Sequence, residues 1–157
     1  MTGTTVKAVP DGMHTVTPYL TCDGASEAIA FYVQAFDAVE INRLADQNGK
    51  IMNAMIRIGN SALMVMDAYP DMEAFSPKTL KGSPVTIHLQ VEDMDAVVAK
   101  AVTAGATVVM PAADMFWGDR YAMLADPFGH QWSVATHIRD VSPEELRKGA
   151  SEMQLTG

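Results

Sequence analysis

The chain holds a single cysteine, Cys22, so no internal disulfide can form and a reducing, cytoplasmic setting is expected. Basic residues are scarce: 11 Lys and Arg against 19 Asp and Glu give a formal net charge of −8. Such a surface repels a phosphate backbone and argues against a nucleic-acid partner. No apolar run approaches the roughly 20 residues that a membrane helix needs, so no membrane partner is expected. The opening stretch MTGTTVKAVPDGM lacks the apolar centre of an export signal, and residues 1–13 are expected to form a flexible N-terminal arm. GxGxxG, Walker and GxSxG motifs are missing, which removes the usual signatures of dinucleotide, nucleotide and serine-hydrolase sites. None of the four histidines has the HxH, HxxxH or HExxH spacing, and Cys22 has no partner, so a structural zinc site is not expected.

Methionine, by contrast, is abundant, with 12 in 157 residues. Most should fill the core, while a few can line an adaptable pocket for a bulky ligand. The chain also repeats itself. VTPYLTCDG, beginning at Val16, returns as VTIHLQVED, beginning at Val85, so that Val16, Thr17 and Leu20 match Val85, Thr86 and Leu89. Ala54 and Met55 return as Ala122 and Met123, and Gly59 pairs with Gly129.

Each half predicts the same order of elements, βαβββ. In the first, residues 16–22 alternate as a strand, Asp23 is the expected N-cap, and residues 25–36 form a helix with Ile29, Tyr32, Val33 and Phe36 on its apolar side. Strands follow at residues 38–46, 51–58 and 61–67, with QNG and GNS as turns. The second half predicts a strand at 85–91, a helix at 94–104 capped by Asp93 and stopped by Gly105, and strands at 107–110, 120–125 and 131–137. The expected organisation is one structural domain: arm 1–13, first module 14–67, linker 68–84, second module 85–138, and a C-terminal helix and tail over 139–157. Ser142 and Glu145 form a capping box at the start of that polar helix.

Strand alternation sorts the side chains. Pro18, Leu20 and Cys22, and in the second half Ile87, Leu89 and Val91, should face the helices. Thr17, Tyr19, Thr86, His88 and Gln90 then share the opposite, polar-capable face, which predicts either a partly wet cup or a plain solvent face. Of the histidines only His88 stands mid-strand on that face, where a hydrogen-bonded role is commoner than a catalytic one. His130 should brace the PFGH turn, and His14 and His137 should be exposed. In FWGDRY, Trp117 and Phe116 can roof the cup. Arg120 can bind an anionic group bidentately or tie the loop to the acidic linker.

Paired βαβββ units, with TPYL, FYVQAF, GNSALMVMD and WGDRYAMLADPFGHQW, resemble the vicinal oxygen chelate superfamily of glyoxalases, bleomycin-resistance proteins and dioxygenases, and within it the PhnB-like subgroup. The resemblance covers residues 15–138. It implies an α+β fold of two tandem βαβββ modules, forming an open cupped mixed β-sheet with flanking helices, and usually a homodimer. It also implies a divalent metal held from the first and last strands of each module. Carried over, those positions are Thr17, Thr86, about Leu63, and Ser133, with Met64 and Trp132 one residue away. None is a competent ligand, and Asn53 stands where the subgroup often has His. No metal and no cofactor are therefore expected.

The functional expectation is a metal-independent protein of the glyoxalase/bleomycin-resistance type that binds a drug-like or metabolite small molecule. Its site would draw on Thr17, Tyr19, Asn53, Met55, Thr86, His88, Gln90, Trp117, Arg120, Tyr121, Met123 and Ser133. Whether the chain is an enzyme stays open. The alternative is a lyase or isomerase using atypical metal ligands or a His88/Tyr19 acid–base pair.

Overall fold

The computed structural model describes residue 3 and residues 5–153; parts of the expected arm and tail lie outside the described residues. The chain divides into two compact units, Met1–Lys81 and Gly82–Gly157.

In the first unit β1 (Tyr19–Cys22), α1 (Ala25–Phe36), β2 (Val39–Ala45), β3 (Ile51–Ile58) and β4 (Ser61–Asp67) build an open sheet in the order β1-β4-β3-β2. β1 runs parallel to β4 and the other pairs are antiparallel. The second unit repeats this with β5 (Thr86–Gln90), α3 (Met94–Ala104), β6 (Thr107–Asp114), β7 (Asp119–Ala125) and β8 (Gln131–His137), in the order β5-β8-β7-β6. The fold is thus α+β, two open four-stranded mixed sheets, each with a helix on one face. The matching topology gives the weak sequence repeat its structural meaning. Before β5 come a 3-10 turn at Pro70–Met72 and the one-turn helix α2 (Pro77–Leu80), capped by Ser76; α4 (Pro143–Glu152) closes the chain.

The helix side of the first sheet carries Leu20, Cys22, Ala54, Ile56, Leu63 and Val65, all buried, and α1 contributes Ala28, Ile29, Tyr32, Ala35 and Phe36. Burying each large side chain of this set contributes about 1.5–3 kcal/mol. Val33 is exposed, contrary to the expected stripe, because the apolar face is centred on Ala28, Tyr32 and Ala35. The small alanines let the helix lie close to the sheet.

Asp23 is not the N-cap of α1. Gly24 holds that position at φ 90, and the orphan amide of Ala25 is taken by the Asp67 carboxylate from the end of β4, at 2.8 Å. The other Asp67 oxygen accepts from the Ile51 amide at 2.7 Å. One carboxylate thereby fixes the start of a helix and the start of a strand. α3 follows the expectation: Asp93 accepts from the Ala96 amide, and Gly105 ends the helix at φ 127. β1 and β5 are shorter than expected, while β6 runs on through Pro111 to Asp114. Proline is tolerated there because β6 is an edge strand with register shifts.

The turn DPFGH is built around Asp126, only 6% exposed. Its Oδ1 accepts from the amides of Phe128 (2.9 Å) and His130 (3.0 Å), and its Oδ2 from the indole of the fully buried Trp132 (2.9 Å). One buried carboxylate thus ties the turn to the core.

Candidate functional site

Registry sets the open face of the second sheet, the side away from α3. His88 lies opposite Ser133, which lies opposite Met123; one step along, Gln90, Ala135 and Tyr121 form the next row. The Ser133 hydroxyl is 2.7 Å from His88 Nδ1, and Gln90 Oε1 is 2.9 Å from His88 Nε2. With the amide oxygen facing the ring, Nε2 donates to Gln90, while Nδ1 shares a hydrogen bond with the Ser133 hydroxyl. The two contacts fix the imidazole in one orientation. Ser133 is 2% exposed, so its hydroxyl braces His88 and is shut off from a solvent-borne substrate.

The imidazole is nearly parallel to the Tyr121 ring, with centroids 6.2 Å apart and planes 16° apart. Trp117 meets Tyr121 edge-on at 5.7 Å, and Phe116 meets Trp117 edge-on at 5.1 Å. An aromatic row thus runs from the β6–β7 turn to β5. Next to it is a shallow depression of about 640 Å³ lined by Gln90, Val91, Glu92, Thr136 and His137. Thr86 lies at the other end of β5, where its hydroxyl bonds Gln131 Oε1 at 3.4 Å.

Arg120 is apart from this group. Side chains alternate along β7, so Arg120 shares the helix side with buried Ala122 and Leu124. Its Nε bonds Asp95 of α3 at 2.9 Å and its Nη1 bonds Asp114 of β6 at 3.0 Å. Hydrogen bonds donated to Asp95 and then to Asp114 raise its pKa further above its ordinary value. The tie expected to reach the linker goes to α3 and β6 instead.

The open face of the first sheet carries Tyr19, Asn53, Met55 and Met64. Tyr19 is in register with Met64 and Met64 with Met55. The Tyr19 hydroxyl donates to the Met52 carbonyl (3.2 Å) and accepts from Asn53 Nδ2 (3.0 Å), which also reaches Met64 Sδ at 3.4 Å. Thr17 precedes β1, outside the strand.

These registers correct the position carried over from the family at the end of the first module. Leu63 is 3% exposed and on the helix side, opposite Ile56; Met64 is the counterpart of Ser133. The residues present do not fit a divalent metal. Met64 offers a thioether, the Ser133 hydroxyl is used by His88, and both His88 nitrogens are engaged. Among the described residues no three His, Cys, Asp or Glu side chains converge on a point that could hold a metal.

His137 is a group that sequence spacing could not reveal. It ends β8, half-exposed, with Nδ1 2.8 Å from Asp119 and Nε2 2.8 Å from Asp140. Hydrogen bonds donated to Asp140 and then to Asp119 raise its pKa above the ordinary 6.5. The charged form therefore contributes stability that is fully present below about pH 6.5 and is lost as the pH rises through the folded-state value. In an NMR titration, the imidazole midpoint of His137 is expected above 6.5 and should fall back towards it in Asp140→Asn.

Two βαβββ modules, each with an open four-stranded mixed sheet and a helix on one face, define the class of fold. The profile of the Glyoxalase/Bleomycin resistance protein/Dioxygenase superfamily matches residues 12–134, and the chain belongs to that superfamily. An uncharacterised protein of Mycobacterium bovis is 45% identical over 139 residues, covering 87% of this chain and 91% of the relative. The X-ray structure of an Arabidopsis thaliana gene product superposes with a TM-score of 0.63 at 29% identity, over 78% of this chain and 98% of that one. The PhnB protein of Bacillus cereus shares the fold, with a TM-score of 0.62 at 18% identity over 78% and 99% of the two chains.

Proposed function

We propose that this chain binds a planar drug-like or metabolite molecule, without a metal, on the open face of its second module. The observation that carries this reading is the double engagement of His88. With Nδ1 and Nε2 held by Ser133 and Gln90, the ring offers its face rather than a lone pair. Tyr121 and Trp117 extend that face, and stacked or edge-on aromatic contacts are what planar ligands use. Gln90 joins the row to the neighbouring depression and can orient a polar substituent.

Fluorescence tests the proposal. The chain has two tryptophans and Trp132 is fully buried, so a ligand on the open face should quench Trp117. In a screen of planar aromatic antibiotics and metabolites, at least one compound should quench it and raise the melting temperature. Trp117→Ala or Tyr121→Ala should weaken that binding about tenfold, the loss of one good aromatic contact. Binding unaffected by both substitutions and by His88→Ala would overturn the proposal, as would a screen in which nothing binds.

The alternative, lyase or isomerase chemistry through His88 and Tyr19, has less support, because both side chains already spend their polar atoms on protein partners. The same reading makes the protein a cytoplasmic homodimer. Exposed Val39, Ile41 and Leu44 on β2, and Val108 and Val109 on β6, favour cover by a second copy, since both are edge strands.

A further inference from the structure

We infer that α4 is a strap that sets the position of Trp117, and so the width of the aromatic row. This rests on the binding reading above, but its central test does not. Three contacts carry it. Gly149, in the middle of α4, is where the helix meets Phe116: a Cβ added at Gly149 would overlap the Phe116 ring. Phe116 in turn meets Trp117 edge-on, and Trp117 meets Tyr121. Arg139, just before α4, also holds this turn. Its Nη2 donates to the Phe116 carbonyl at 3.2 Å and its Nη1 to Glu145 of α4 at 3.4 Å. The turn itself is tight, with the Gly118 amide donating to the Met115 carbonyl at 3.1 Å, so Phe116 and Trp117 move together.

The helix is lightly anchored. None of its residues is fully buried, and its polar composition gives it little apolar area to hold it down. Elements with few buried apolar contacts open at low cost. Glycine is a poor residue for a helix interior, yet here it gives Phe116 room. A strap that is weakly held and seated on the aromatic row by one glycine can widen the row when it lifts. The helix thereby acts on the proposed ligand without touching it.

Acrylamide quenching of Trp117 in the full-length chain is the test, with the quenching of Trp117→Phe subtracted as the Trp132 background. Gly149→Leu should raise the Trp117 quenching constant about twofold or more by displacing Phe116. Leu146→Pro, which melts α4, should do the same with a loss of helical circular dichroism. Arg139→Ala should give a smaller rise in the same direction. Unchanged Trp117 quenching in Gly149→Leu and Leu146→Pro would overturn the strap, whatever the chain binds. If quenching rises as stated while no planar compound binds, the strap stands and the ligand reading fails.

Discussion

Asp126→Ala is expected to lower the unfolding free energy by about 3 kcal/mol or more, among the largest effects of any single substitution in this chain. The carboxylate accepts from two turn amides and from the Trp132 indole, and it is 6% exposed. Alanine takes the acceptor from three donors, two of them, the Phe128 amide and the Trp132 indole, in buried bonds. Each buried, unsatisfied donor costs about 1–3 kcal/mol, partly relieved by relaxation of the turn. Asp126→Asn should fall between wild type and alanine. It keeps one acceptor oxygen, but its amide nitrogen faces either the backbone donors or the indole. Urea unfolding followed by near-ultraviolet circular dichroism measures both, since Trp132 lies in the core. Equal stability of wild type and Asp126→Ala would show that the turn forms without the carboxylate.

Gly118→Ala is expected to destabilise by about 3 kcal/mol. Gly118 has φ 101, a conformation that an L side chain adopts at a cost of about 1–2 kcal/mol. A Cβ there would also overlap the Arg139 carbonyl and approach Val141 Cγ2 at 3.0 Å. The Arg139 segment cannot easily give way, because the amides of Ile138 and Arg139 both donate to the Gly118 carbonyl, at 2.9 and 3.1 Å. Gly49→Ala is the control. Its φ is 83 and nothing lies within 4 Å, so only the conformational cost, about 1 kcal/mol, should appear. A similar loss at the two glycines in chemical denaturation would show that the Arg139 contact adds nothing.

Much of the fold was legible because period and punctuation agree. β3, β4, α3 and β8 have the bounds that alternation and the flanking turns predict, and Asp93 and Gly105 cap α3 as their residue types suggest. The misjudged points are tertiary ones. Asp23 looks like an N-cap, but the acceptor comes from Asp67, 42 residues away. Val33 fits the helical period, yet the sheet selects a face rotated towards the alanines. Arg120 is chemically suited to an anion, but its strand position directs it to Asp95 and Asp114.

By itself the sequence determined the duplicated βαβββ order and the sheet faces of Tyr19, His88 and Gln90. These depend on local period and residue chemistry, which a chain displays without folding. Only the tertiary structure decided that Ser133 and Gln90 hold His88, that Asp126 reaches Trp132, that His137 lies between two carboxylates, and that Gly149 makes room for Phe116. Ser133 lies 45 residues from His88, and Gly149 lies beyond β8 from Phe116. Sheet register and side-chain packing set these partnerships, and no spacing along the chain encodes either.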